Sequence, residues 1–236
     1  MTLEPEDAAK LIAQTSSENT VLIGGQAIAL WCRQYEIEPR LPVLTKDVDY
    51  LGTRAEARRI SSRLKIPHTL KIATFDDATP NSALLRVELE GRPEPVLVDY
   101  LASIVGVDSK DLERSAVVVE YQGETLRVIH PLLLLQSKIW NLYLLENKRT
   151  SEGIEQARLA IQVVAAFIEH SGMNQRDLLH VIEALGKFAA TTPARFAAKE
   201  FGLHCLDAVP KSAFKEGVLP REFHNKRWPQ LRAMAE

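Results

Sequence analysis

Apolar residues along this chain follow two different rhythms, and the change falls near residue 130. Before it, short apolar runs alternate with polar turns and brief helical stretches. Glu6 to Ala13 predicts a short helix, and Thr20-Val-Leu-Ile23 a buried strand ending in Gly24-Gly25. From Gln26 to about Tyr35, Ile28, Ala29, Leu30 and Cys32 suit a helix packed on a sheet. Pro39 and Pro42 then interrupt regular structure before Asp47-Val-Asp-Tyr-Leu51. Arg54 to Leu64 has the charged amphipathic pattern of a surface helix and stops before Pro67.

Three β-rich runs follow, at Thr69 to Thr74, Leu84 to Leu89 and Val96 to Leu101. Gly91-Arg-Pro-Glu-Pro95 between the last two predicts a hairpin. Gln122-Gly123, flanked by Ala116 to Tyr121 and Thr125 to Ile129, predicts another.

After His130 the period lengthens. Pro131 suits a first helical turn, with Leu132 to about Glu146 continuing it. Ile154, Ala157, Ile161, Val164 and Ile168 recur at three- and four-residue steps and predict a second helix. Leu178, Leu179, Ile182, Leu185 and Phe188 or Ala189 predict a third, and Pro193 opens a fourth near Ala194 to Phe201. The expected class is α+β: a mixed sheet flanked by helices over residues 1–130, then an all-helical domain over 131–236.

Composition narrows the class without naming a function. Of 236 residues, 46% are hydrophobic and 25% charged, the balance of a chain that folds rather than one that stays disordered. Twenty-nine Lys and Arg stand against 31 Asp and Glu, which excludes a uniformly basic nucleic-acid binder but not a local basic patch. Cys32 and Cys205 are the only cysteines, too few for a disulfide framework and without metal-ligand spacing. The start, Met1-Thr-Leu-Glu-Pro-Glu-Asp, lacks a signal-peptide core. No apolar run reaches the ~18 residues of a membrane helix, so the expected compartment is the cytoplasm.

The candidate chemistry lies in the first half. Alternate strand residues share a face, so Asp47 and Asp49 stand together while Val48 faces the core. Two like charges so placed repel unless a cation fills the gap, and a small set of carboxylates completed by water and phosphate oxygens is what Mg²⁺ prefers. A solvated loop-to-strand junction would produce the same pair. Asp99 adds weight because it ends the apolar run Val96-Leu-Val98, where an unpartnered carboxylate is costly. Arg86 on the neighbouring run is its structural alternative to a metal. Gly24-Gly25, between strand and helix, is either an ordinary tight turn or a place where a phosphate can approach bare N–H groups at a helix start.

In order, Val21-Leu-Ile-Gly-Gly25, Thr45-Lys-Asp-Val-Asp49 and Val96-Leu-Val-Asp99 resemble the signature of the polymerase-β-like nucleotidyltransferase superfamily. Within it, Gly24-Gly-Gln-Ala-Ile-Ala29 followed by Thr45-Lys-Asp-Val-Asp-Tyr50 is similar to the AbiEii/AbiGii toxin-like group. The resemblance covers roughly residues 20 to 100. It implies an enzyme that binds Mg²⁺ or Mn²⁺ through Asp47, Asp49 and Asp99 and moves a nucleotide from a nucleoside triphosphate such as ATP to a hydroxyl. Gly24, Gly25, Thr45, Lys46 and Lys138 are implied on the phosphates. A tRNA 3′ end is the leading implied acceptor, within a toxin–antitoxin or phage-abortive system with a cognate antitoxin protein. A non-catalytic nucleotide- or partner-binding module, or an aminoglycoside-type transferase, are the alternatives. In this chain no crisp acidic motif follows Lys148-Arg149, where relatives often carry an Asp.

Two features of the helical half stay open at this level. Lys138, among Leu134, Leu135, Ile139 and Leu142, either snorkels to solvent or reaches into a cleft. Lys148 and Arg149 suit a helix end. Between Lys211 and Arg232, six Lys or Arg outnumber Glu216 and Glu222, with Phe223 and Trp228 among them. That mixture fits RNA contact or, more simply, a terminal segment whose aromatics pack onto the helices. His180, His204 and His224 have no metal spacing.

Overall fold

The computed structural model describes residues 3–41, 45–74, 76–77 and 79–235; Pro42, one of the two prolines expected to break regular structure, lies outside them. The chain divides into two compact units, Met1–Leu30 with Pro42–Leu134, and Trp31–Leu41 with Leu135–Glu236. The first holds a mixed seven-stranded sheet, the second is helical, and the class is α+β.

In the first unit, strands β1 (Val21–Ile23), β2 (Asp47–Leu51), β3 (His68–Ile72), β4 (Asn81–Val87), β5 (Val96–Leu101), β6 (Val117–Tyr121) and β7 (Glu124–Val128) line up in the order β3-β4-β5-β2-β1-β7-β6. Both expected hairpins form: β4 pairs antiparallel with β5, and β6 with β7. Gln122 (φ 52°) and Gly123 (φ 82°) make the second turn, both left-handed as a two-residue hairpin requires. The central pair, β2 with β5, is parallel and remote in sequence.

The two faces of that central pair differ. Val48, Tyr50, Val98 and Tyr100 are buried on one side, where the Tyr50 and Tyr100 rings stack at 5.5 Å. Helix α1 (Pro5–Thr15) serves this side. The Tyr100 hydroxyl donates to Thr15 O at 2.9 Å, and the Tyr50 hydroxyl lies 3.2 Å from Thr15 Oγ1. A buried phenol needs such a partner, so the stack also fixes how α1 sits on the sheet. Helix α3 (Arg54–Arg63) is capped by Thr53, whose hydroxyl accepts from Glu56 N. Helix α2 (Gly24–Gln34) begins directly after β1.

Helix α4 (Ser109–Ser115) was not visible in the pattern, because seven residues with one buried apolar side chain, Leu112, carry no periodicity. Its stop-start signal is Asp108, which accepts from Lys110 N and Asp111 N. The second unit contains most of α5 (Pro131–Leu144), and α6 (Ser151–His170), α7 (Gln175–Ala189), α8 (Thr192–Phe201) and α9 (Trp228–Ala235). Helix α9 follows a π-helical turn at Phe223–Arg227 that no sequence signal announced. It packs so closely on α7 that a Cβ at Gly186 would meet Leu231 at 2.5 Å. No helix among the described residues is long and apolar enough to cross a membrane.

His130 closes the first unit's strand-to-helix junction. Its Nδ1 accepts from Leu132 N at 3.2 Å and its carbonyl from Leu134 N at 2.9 Å, so a neutral imidazole caps α5. Burial pushes this ring down to about 4. The unfolded chain, with a histidine near 6.5, therefore takes a proton that the folded chain refuses. That stability is fully present above pH 6.5 and is lost as pH falls towards 4, by about 3 kcal/mol. His130→Asn keeps an acceptor for the cap but cannot titrate. Urea denaturation at pH 7 and pH 4.5 should show a smaller loss for the variant than for the wild type.

Candidate active site

The register of β2 on β5 assembles the acids. Asp49 pairs directly with Asp99 and Asp47 with Leu97, so all three carboxylates leave the sheet on the face opposite the tyrosine stack. A slip of one residue would send Asp99 into the core. Each of the three is half-buried, and one carboxylate oxygen from each lies within 4.8 Å of the others. The sequence expectation that these side chains share one place is met.

Gly24 completes the enclosure. Ile23 pairs with Asp49, and the chain then turns through Gly24 at φ +68° into α2. A Cβ on Gly24 would stand 2.9 Å from the Asp49 Cγ and 3.0 Å from its Cβ, with Oδ2 nearer still. Glycine is needed here twice over, for the left-handed backbone and for the space the Asp49 carboxylate fills. Gly25 lies buried in the first turn of α2.

The remaining first-unit residues fall into distinct positions. Thr45 is buried; its hydroxyl accepts from the Gln26 amide and its carbonyl from Leu3 N at 2.9 Å. It thus anchors the chain entering β2. Lys46 is exposed. Asp99 has a partner that the sequence did not suggest: the Asn81 amide at the start of β4 donates to its Oδ1. Arg86, the alternative raised above, sits opposite Leu97 and makes no ion pair with Asp99. Asn81 has no motif around it; only the β4–β5 register, with its irregularity between Asn81 and Ala83, brings it to the acid.

Burial and the neighbouring charge of Asp47 both raise the Asp99 pKa, while the Asn81 hydrogen bond opposes them. Folding thus favours the protonated acid, and stability falls as pH rises from the unfolded carboxylate range through the raised folded value. In EDTA, Asp99→Asn should have a higher Tm than the wild type, and thermal scans with Mn²⁺ should reverse the order by stabilising only the wild type.

The donor set tests well for a divalent cation. Three hard carboxylate oxygens, partly shielded and mutually repelling, suit Mg²⁺ or Mn²⁺ and not a soft-ligand metal. Cys32 and Cys205 are free and buried, and burial pushes their thiols up to about 11 and about 12. Neither belongs to a metal cluster among the described residues.

No family profile and no curated protein sequence matches the chain. The solved structures to which it is similar include the following three. JHP933 from Helicobacter pylori is 14% identical, with 98% of this chain and 96% of that one covered and a TM-score of 0.43. A proposed nucleotidyltransferase from H. pylori is 14% identical over 86% of this chain and 89% of that one, with a TM-score of 0.40. The Megavirus polyadenylate synthase is 12% identical over 74% of this chain, with a TM-score of 0.40. This chain spans 37% of the viral enzyme's length.

In the helical unit, Lys138 does not snorkel into open solvent. It is 8% exposed, and its Nζ donates to the Gln156 Oε1 at 2.8 Å. Arg149 donates to the carbonyls of Leu142 and Tyr143, the helix-end role its position suggested, and lies over the Phe196 ring. The aromatics of the terminal segment pack on one another, Phe214 with Trp228 at 4.9 Å, and Phe223 is buried. Several of the cations there have acids beside them: Arg221 with Glu216, Lys226 with Glu222, Arg227 with Glu183. This is the simpler of the two readings of that segment.

Proposed function

We propose that this chain is a metal-dependent nucleotidyltransferase that moves a nucleotide from a nucleoside triphosphate to a hydroxyl acceptor. The observation that supports it most is the convergence of Asp47, Asp49 and Asp99 beside the bare backbone of Gly24. A divalent cation held by these acids would neutralise triphosphate charge and ease ionisation of the attacking hydroxyl. Asp47 and Asp49 hold that charge in place from one strand. Asp99, which faces the same cluster from the neighbouring strand, accepts the hydroxyl proton at a carboxylate oxygen. The acceptor oxygen forms a bond to the α-phosphorus. The α–β bridging P–O bond breaks, and pyrophosphate leaves with that electron pair.

The α2 N-terminus at Gly24 and Gly25, with Lys46 as a cation and Thr45 as a hydroxyl, is proposed for the phosphates. Catalysis is assigned to residues 1–130, with 131–236 as an accessory helical part. On the motif resemblance, the reading extends to a cytoplasmic AbiEii-like toxin acting on an RNA acceptor, with a tRNA 3′ end the first to test and an antitoxin as partner. The test offers each labelled NTP with Mg²⁺ to tRNA, total protein and aminoglycosides. Label entering one acceptor class supports the enzyme and names its substrate. Binding of triphosphate without transfer to any acceptor would favour a binding module instead.

A further inference from the structure

A cavity of about 530 Å³ lies within the helical unit, and none of its wall belongs to the acid cluster. Helices α8 and α9 and a 3₁₀ turn at Cys205–Ala208 line it, together with the end of α7. Local sequence builds that wall. Arg195 and Lys199 are four residues apart on α8 and so share a face. Ala194 and Ala198 beside them, and Ala189 at the end of α7, add no bulk, so the long cations stand around open space. The chain turns back at Gly202 and brings Asp207 into the same wall. Arg232 joins from α9; it follows Leu231, whose side chain seats on Gly186 of α7.

Charge sets this cavity apart. Among the described residues its wall carries Arg195, Lys199 and Arg232 against one acid, Asp207. Arg195 is held by the fold: its Nε and Nη2 donate to Ala190 O at 3.0 and 2.7 Å, satisfying the carbonyl end of α7. Its Nη1 takes no part in those bonds. A guanidinium fixed in this way loses little freedom when it meets an anion. Arg232 makes no ion pair among the described residues, unlike Arg221, Lys226 and Arg227 before it. Lys199 lies 4.0 Å from Glu200, an exposed contact that water screens.

Three cations around one concave space attract a ligand with two or more negative charges, and guanidinium forks fit phosphoryl oxygens. A space of this size suits a small molecule, whereas a polynucleotide tracks an extended groove. Ala194, Ala198 and Leu206 offer apolar surface to the carbon part of such a ligand, and Asp207 can accept from its hydroxyl or amine. We propose that this cavity binds a small phosphorylated molecule, with its phosphoryl oxygens on Arg195, Lys199 and Arg232. The site shares no residue with the acid cluster and stands independently of the transferase reading.

Inorganic phosphate and pyrophosphate are the probes, titrated calorimetrically into the full chain in EDTA. Without metal, Asp47, Asp49 and Asp99 repel both anions and contribute no binding. Pyrophosphate should bind one-to-one and more tightly than phosphate. Arg232→Gln and Lys199→Gln change exposed side chains that the fold does not need, and each should weaken pyrophosphate about fivefold. Arg195→Lys keeps the charge but loses the fork, and should weaken it about threefold. Arg176→Gln makes the same change in net charge at the exposed start of α7, ~20 Å of helix from Ala189, and should leave the affinity unchanged. A wild type that binds neither anion at millimolar concentration overturns the site. So does an equal loss in Arg176→Gln and Arg232→Gln, which would mean bulk charge only. Binding of a short single-stranded RNA by a wild type that takes up neither small anion overturns it as well.

Discussion

Asp47→Ala should abolish nucleotide transfer, by about three orders of magnitude in kcat, without loss of thermal stability. The expectation follows from where Asp47 stands. It is two residues along β2 from Asp49, on the same face, and contributes one of three oxygens confined within 4.8 Å. Removing it leaves two acids, too few to fix a cation against a triphosphate. It also removes a charge that raises the Asp99 pKa, so the folded state loses a repulsion and not a support. The measurement is a label-transfer assay beside a thermal scan. Transfer at wild-type rate would end the catalytic assignment of this cluster, whatever the fold.

A second large effect is expected from a residue with no side chain. Gly24→Ala should destabilise the chain by about 2–4 kcal/mol and remove Mn²⁺ binding. Two causes add. Alanine at φ +68° is strained, and its methyl would overlap the space of the Asp49 carboxylate, which must then swing out of the cluster. Gly123→Ala separates the causes, because Gly123 has φ +82° with open space around it. That variant should cost about 1 kcal/mol and leave Mn²⁺ affinity intact. Calorimetric titration of both variants reads the difference directly. Unchanged Mn²⁺ binding by Gly24→Ala would mean that Asp49 does not serve the cation.

The same two residues show how much of the site could be read from the chain. Gly24 stood out because a strand, two glycines and a helix start follow in order, yet its partner was hidden. The contact with Asp49 depends on β1 pairing antiparallel with β2 across an intervening helix and loop. Likewise Asp47 and Asp49 share a face by strand periodicity alone, a local property. Asp99 joins them only because β5 pairs parallel with β2 in one register out of many. Asn81 carried no signal, since it acquires meaning only from the strand beside it.

The elements themselves were set by local pattern. Alternating burial in β5, the glycine turn of the second hairpin and the apolar spacing of α6 and α7 are each encoded within a few residues of where they act. Short-range sterics and solvent exposure suffice for such features. The seven-strand order, the Asn81 hold on Asp99 and the buried end of Lys138 were decided by tertiary structure. They depend on pairings between distant segments, which buried apolar faces select among many registers that the local pattern leaves equally open.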